Sequence, residues 1–281
     1  MKIRYSFILL SLLPFFLSNC EEVMEDFSVQ NSDPQLVIEA QCSSQNDSVY
    51  VYISKTADYM NPVVYPTVSN AQILLSFADT SISVPEIHPG TYAAQYNFPV
   101  NTNYTIQVQV DGITYTAESF MSSAVPIDST QTSIFPYSPY MARYPGELFY
   151  EITMFFKEPA NSKNFYRIKT WKNDTLLNHS SDLVIFNDIL MNGQDYELLL
   201  RGYIFEVNDT VKFEFMSIDE AAYEYYNTLV EAMSSTGNFS VPDNPKSNFT
   251  PSVLGYFMAY SSDTTTITIK ADSISFPEYI P

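Results

Sequence analysis

Short runs in which apolar and polar residues alternate dominate the first half of the chain. Leu36-Val-Ile-Glu-Ala40, Ser48-Val-Tyr-Val-Tyr-Ile53, Ala71-Gln-Ile-Leu-Leu-Ser-Phe77 and Gly90-Thr-Tyr-Ala-Ala-Gln-Tyr96 are rich in β-branched and aromatic residues, and each predicts a strand. Tyr104-Thr-Ile-Gln-Val-Gln-Val110 and Ile113-Thr-Tyr-Thr-Ala117 flank Asp111-Gly112, a pair suited to the type I′ turn of a hairpin. Strands at this spacing predict an immunoglobulin-like β-sandwich over 35–124. The proline-bearing stretch from Val125 to Pro145 predicts a domain boundary.

The second half mixes periods. Leu148 to Phe156, Asn164 to Trp171, Tyr196 to Leu200, Val211 to Met216 and a closing run Thr264 to Lys270 read as strands. Ser217-Ile-Asp-Glu220 is a capping-box pattern opening one helix near 218–234. In that helix Tyr225, Leu229 and Met233 share a face that Tyr226 and Val230 widen, and Gly237 is a natural stop. The fold class expected is mainly β: an N-terminal immunoglobulin-like sandwich, then a β-rich (α+β) domain over 125–281 with one main helix.

The N-terminus departs from both patterns. Lys2 and Arg4 precede an apolar run from Phe7 to Leu17, too short for the roughly 20 residues that span a bilayer. Leu17-Ser-Asn-Cys20 follows, reading as a cleavage and acylation site. Residues 1–19 are therefore expected to be a signal peptide, and Cys20 the residue whose lipid holds the mature protein on a membrane. Residues 20–34 would form an acidic tether, with Glu21 and Glu22 as an export signal to the cell exterior; a plain solvated linker is the simpler reading of those acids. The chain has two cysteines. If Cys20 carries lipid, Cys42 is left as a small core residue; a Cys20–Cys42 disulfide is the competing expectation.

Charge narrows the partners. Thirteen basic residues face 32 acidic ones, a net charge of −19, which opposes binding to nucleic acid or anionic lipid. The catalytic motifs are missing. His88 and His179 lie apart with no metal-ligand spacing, there is no G-x-S-x-G elbow, and seven scattered glycines make no phosphate loop. Acids such as Glu147, Glu151 and Glu158 read as strand-edge or turn residues, so no glycosidase pair stands out. No enzyme activity, cofactor or metal is expected.

Asp-[Ser/Thr] followed by a small or apolar residue recurs, marking Ser48, Ser129, Thr175, Thr210, Thr264 and Ser273 as candidate O-glycosylation sites. The same tripeptides are also turn chemistry leading into strands. Tyr137, Tyr140 and Tyr144, in an aromatic-proline loop, and the stretch from Asn238 to Tyr256 are the candidate binding surface. Cover for the sandwich edge is the structural alternative for these residues.

The order of several segments resembles a known family, the Bacteroidota outer-membrane lipoproteins grouped as domain of unknown function 4249. The segments are Leu36-Val-Ile-Glu-Ala40, Ser54-Lys-Thr56, Ala71 to Leu75, Gly90-Thr-Tyr92, the Tyr104 to Ala117 hairpin and Pro126-Ile-Asp128. Phe155-Phe-Lys-Glu-Pro159, Asn164-Phe-Tyr-Arg167, Asn187-Asp188, Asn192-Gly193, Asn238 to Pro242, Asn248 and Leu254-Gly-Tyr-Phe257 continue it. The resemblance implies a surface-exposed accessory lipoprotein to a TonB-dependent outer-membrane transporter, with no catalytic residues to carry over. A structural or adhesive envelope protein and a surface glycan hydrolase are the rival expectations.

Overall fold

Alternation along β1 (Leu36–Ser43) and β2 (Ser48–Lys55) sends Ile38, Ala40, Cys42, Val49, Val51 and Ile53 to one side, where all are fully buried. Facing them across a shared core are β3 (Gln72–Phe77), β7 (Thr102–Val110) and β8 (Ile113–Met121), which contribute Leu75, Tyr104, Ile106 and Val108. In this computed structural model the described residues are 33–57, 65–134, 149–160, 162–200, 204–234, 243–271 and 274–275. The β7–β8 hairpin turns on Asp111 (φ 49°) and Gly112 (φ 80°), the two positive φ values that a type I′ turn requires.

The protein is mainly β. Among the described residues, one sheet runs in the order β12 (Thr175–Leu176), β11 (Phe165–Lys172), β15 (Thr210–Ile218), β16 (Leu254–Thr268), β1, β2, β6 (Thr91–Gln95) and β5 (Glu86–His88); β13 (Val184–Asn187) also pairs with β11. A four-stranded sheet, β4 (Thr80–Ser83), β3, β7 and β8, closes the first core. Another, β14 (Asp195–Leu199), β10 (Tyr150–Lys157), β9 (Ser129–Ile134) and β17 (Ile274–Ser275), lies beside the second. There Tyr150, Ile152, Met154 and Phe156 meet Tyr166, Ile168, Phe213 and Phe215. The Phe156 and Tyr166 rings sit 4.8 and 5.0 Å from that of Phe215.

The two cores fall largely on either side of the expected 124/125 division, but the long sheet crosses it. Residues 34–281 form one compact unit, in which β1 pairs in parallel with β16, Ile38 opposite Gly255 and Ala40 opposite Phe257. Side chains stitch the same seam. Phe120 N–H donates to Asp219 Oδ2 (3.2 Å), Val125 N–H to Ser217 Oγ (3.3 Å) and Ile127 N–H to Asp263 Oδ2 (2.8 Å). Ser261 Oγ donates to the Ser122 carbonyl at 2.7 Å. The start of the stretch whose composition reads as a boundary is thus tied down, at Val125 and Ile127, by backbone N–H groups that donate to side chains of the second half.

Two local expectations need correction. The strand expected from Thr264 to Lys270 runs from Leu254 to Thr268, and Gly255 to Ser262 are buried without alternation because both faces are covered. Phe257 and Ala259 face the first core, while Tyr256, Met258 and Tyr260 face helix α1 (Glu220–Ser234). The cap of α1 is Asp219, whose Oδ1 accepts from Ala222 N–H at 2.9 Å. Ser217 is still part of β15, since pairing with β11 runs on to Ile218 opposite Phe165. The helix buries Ala222, Tyr225 and Tyr226 and packs Leu229 against the sheet, while Met233 is 38% exposed. No helix among the described residues is long and apolar enough to cross a membrane.

One ion pair gives the fold an acid-sensitive joint. Asp209 pairs with Lys172 at 2.8 Å and accepts from Asn173 Nδ2 (2.7 Å) and Glu206 N–H (2.8 Å), joining the β11–β12 turn to the start of β15. Burial pushes its carboxyl up, but these donors outweigh burial and the pKa is lowered. A lowered folded pKa means stability that is complete above the unfolded value of about 4 and lost as pH falls through the folded one. Asp209→Asn is therefore expected to be less stable than the parent at pH 7, with the gap narrowing below about pH 4. Urea midpoints at pH 7, 4 and 3 would show this, and a gap that does not narrow would contradict it.

Candidate functional site

The residues singled out from the sequence do not converge. Cys20, Glu21, Glu22, Tyr137, Tyr140, Tyr144, Glu147 and Ser273 lie outside the described residues. Ser129, Thr175 and Thr264 are exposed, whereas Ser48 and Thr210 are half-buried at the starts of their strands. Asp47 (φ 49°) and Asp174 (φ 63°) hold the left-handed turns that the tripeptides predict. His88 and His179 are exposed, and no group of metal-binding side chains occurs among the described residues. Cys42 is a buried free thiol whose pKa burial pushes well up, which keeps it protonated.

Of the stretch from Asn238 to Tyr256, the described part is largely structural. Phe249 and Tyr256 are each 4% exposed. Asn248 fastens β16 to β8: its Oδ1 accepts from Phe257 N–H (2.9 Å), and its Nδ2 donates to the carbonyls of Phe257 (2.8 Å) and Glu118 (3.2 Å).

A different cluster does bring separate segments together. Glu158, expected at a strand edge or turn, is 1% exposed. Its Oε1 accepts from Asn164 Nδ2 (2.6 Å) and Tyr166 OH (3.1 Å), and its Oε2 from Gly193 N–H (2.7 Å). Glu158 N–H donates in turn to the Gln194 carbonyl at 2.9 Å. A second buried carboxylate, Asp188, accepts from Asn164 N–H at 2.9 Å, and its carbonyl accepts from Met191 N–H at 2.9 Å. Neither acid belongs to an ion pair among the described residues. Burial, then the charge of Glu158, pushes the Tyr166 hydroxyl far up, so it stays a donor.

What these carboxylates hold is the turn from Asp188 to Gln194. Met191 plugs into the second core at 4% exposure, while Ile189 and Leu190 project at 71% and 87%. Ile189 N–H donates to Asn187 Oδ1 at 3.3 Å, and Gly193 adopts φ 74°, where an added Cβ would be strained and would crowd Ala160 Cβ at 3.0 Å. Two adjacent apolar side chains are thus fixed in water on a turn whose backbone is pinned from below. Covering such a side chain is worth about 1.5–3 kcal/mol, so the tip is chemically suited to an apolar hollow on a partner.

Beyond Asn164 a cleft of about 520 Å³ opens at the seam between the halves, bordered by Phe120, Ser123, Lys163, Asn164 and Asp219. Its charges are already engaged. Lys163 pairs with Glu220, and Asp219 is spent on Ala222 and Phe120 N–H groups, which leaves the rim to neutral polar contacts.

The segments that meet at Glu158 are those in which the chain resembles a family, and a family model matches residues 24–266. The chain belongs to the family described as Domain of unknown function (DUF4249). No curated protein matches it. In this DUF4249 chain, Lys157-Glu-Pro159, Asn164 to Arg167, Asn187-Asp188 and Asn192-Gly193 form one hydrogen-bonded hub. Sequence reasoning missed the hub because Glu158 reads as a strand-edge or turn residue and Asn164 to Arg167 as the start of a strand, with nothing local to join them. The available signal was the clustering of Asn and Gly with acids at three separate places.

Proposed function

We propose that the protein is a non-catalytic lipoprotein, anchored through acylated Cys20 to the outer face of a Bacteroidota-type outer membrane, that works as accessory to a TonB-dependent transporter. The reading joins the leader and Cys20 pattern to the role that the family resemblance implies. The observation that carries a partner role is the Ile189–Leu190 tip, exposed at 71% and 87% on a turn held by two buried carboxylates. A net charge of −19 disfavours an anionic membrane or nucleic acid as what covers it. Ser129, Thr175 and Thr264 are the exposed positions at which O-glycosylation is expected, although Asp263-Thr264 lies within β16 and not on the turn that its sequence predicts.

The test uses full-length protein in the outer membrane of producing cells. Mild detergent extraction and mass spectrometry are expected to recover a TonB-dependent β-barrel with the parent. The Ile189→Ser/Leu190→Ser pair should lose the barrel while keeping the parent's melting temperature. A Cys20→Ala chain is expected to leave the membrane fraction. If lipidated, surface-displayed parent brings down no barrel, a spacer or adhesive role replaces this one.

A further inference from the structure

Strand β11 carries Phe165, Arg167, Lys169 and Trp171 on the face that α1 partly covers, so alternation that reads as a solvent face is half-buried. Arg167 and Lys169 are two residues apart on that face, with like charges side by side. Among the described residues, neither of the two belongs to an ion pair. The ion pairs of the described residues join Lys163 to Glu220, Lys172 to Asp209 and Lys246 to Glu224.

Each cation is held without being neutralised. Arg167 donates through Nη1 to Tyr226 OH and lies 4.1 Å from the centre of that ring, while its Nε is buried with no hydrogen-bond partner among the described residues. Tyr226 OH passes its own proton to Tyr256 OH at 2.7 Å, and Gln41 Nε2 donates to the same oxygen, so the guanidinium rests on a fixed relay of neutral groups. Lys169 Nζ lies 5.8 Å from the centre of the Tyr260 ring. Burial, then the charge of Arg167, pulls its pKa down, and Glu214 offsets this only in part. Glu214 faces Lys169 across the strands and also accepts from Ser262 Oγ at 3.0 Å.

Both cations border a cavity of about 200 Å³ between α1, β11 and the segment 176–183, which Leu177, Leu229 and Tyr226 wall on the apolar side. The one carboxylate at its rim, Asp182, turns its oxygens to His179 N–H (2.8 Å) and Ser181 Oγ (3.4 Å). The volume is below the roughly 300 Å³ at which drug-sized ligands begin, which limits the occupant to a small molecule.

We propose that this cavity binds a small organic anion with an apolar tail, of the short-chain carboxylate class. Its acid group lies between Arg167 and Lys169, and its hydrocarbon runs along Leu177 and Leu229. The ligand adds counter-charge to two neighbouring cations that have only Glu214, opposite Lys169, facing them across the strands, and charge-assisted hydrogen bonds to a planar guanidinium set the orientation. The site is independent of the Ile189–Leu190 tip and of any partner that the tip meets.

The probe is hexanoate, titrated into full-length protein by calorimetry and thermal shift, beside hexanol (tail without charge) and acetate (charge without tail). Saturable binding and a raised melting temperature are expected for hexanoate, with hexanol and acetate weaker by about tenfold or more. Lys169→Met keeps the stem and removes the charge. It is expected to weaken hexanoate by about tenfold or more. Arg167→Lys guards against reading the loss as misfolding, since it keeps the charge and loses the fork, and should bind between the two. Equal binding of hexanol and hexanoate, undiminished binding by Lys169→Met, or no saturation at millimolar hexanoate would each overturn the proposal.

Discussion

Gly255→Ala is expected to abolish the folded state, or to lower stability by about 4 kcal/mol or more, the range reserved for a broken structural rule. A methyl group at this position would sit 2.0 Å from the Ile38 carbonyl oxygen, 2.6 Å from its carbon and 3.0 Å from the Ile38 nitrogen. All three atoms are backbone, so no side chain can swing aside. Relief requires β16 to move away from β1, which opens the parallel ladder from Val37–Leu254 to Ser43–Tyr260. That ladder lies in the middle of the long sheet, with the first core on one face and the tyrosines of α1 on the other. The backbone adds strain of its own, since φ is +98°, a region that costs a residue with a Cβ on the order of 1–3 kcal/mol.

Gly112→Ala separates the two contributions. Its φ of +80° is similar, but nothing lies within 4 Å of the added carbon, so only the conformational penalty applies. The expected loss there is about 1 kcal/mol. Urea denaturation of the parent and both variants measures the difference. A Gly255→Ala chain as stable as Gly112→Ala would mean that β1 and β16 are not neighbours as described.

This contrast also marks what the sequence could reveal. The β7–β8 hairpin is legible because everything that defines it is local: alternating residues, then Asp111-Gly112. β1, β2 and β10 are legible because each turns one face to a core and keeps the period of two. The first part of β16 hides because Tyr256 to Tyr260 are buried on both faces and show no period, and its partner β1 lies more than 200 residues earlier. β4, β5 and β12 hide for the opposite reason, being short and mostly exposed at sheet edges, where packing leaves no pattern. Arg167 and Lys169 mislead in a third way. Their alternation with buried neighbours is what a solvent face produces, and only the return of α1 over β11 makes it an enclosed one. The candidate hub was least legible of all, since the burial of Glu158 depends on donors from Asn164, Tyr166 and Gly193, none of which announces a carboxylate nearby.

Glu158→Ala is accordingly expected to cost about 3–5 kcal/mol, although it removes a charged residue from the interior. The usual argument, that replacing a buried ion by carbon is harmless, applies when its partners go with it. Here they stay: Tyr166 OH and Gly193 N–H would point into a hole, Asn164 Nδ2 would keep only its bonds to Ser162 and Pro159, and a buried donor left unmade costs about 1–3 kcal/mol. Glu158→Gln keeps the volume but turns an amide NH₂ towards at least one of these donors, so an intermediate loss of about 1–3 kcal/mol is expected. The loss should also have a location. Gly193 N–H bonds directly to the carboxylate, and the amides of Met191 and Gln194 depend on the turn it holds. Their hydrogen exchange should accelerate in Glu158→Gln under conditions where the β7–β8 hairpin amides remain protected. If the tip meets the partner as a preorganised unit, Glu158→Gln also weakens that contact without altering Ile189 or Leu190, because the ordering of the loop must then be supplied on binding. Unchanged exchange at Met191 and Gly193 would show that the buried carboxylate does not hold the turn, and that the exposed tip owes its order to something else.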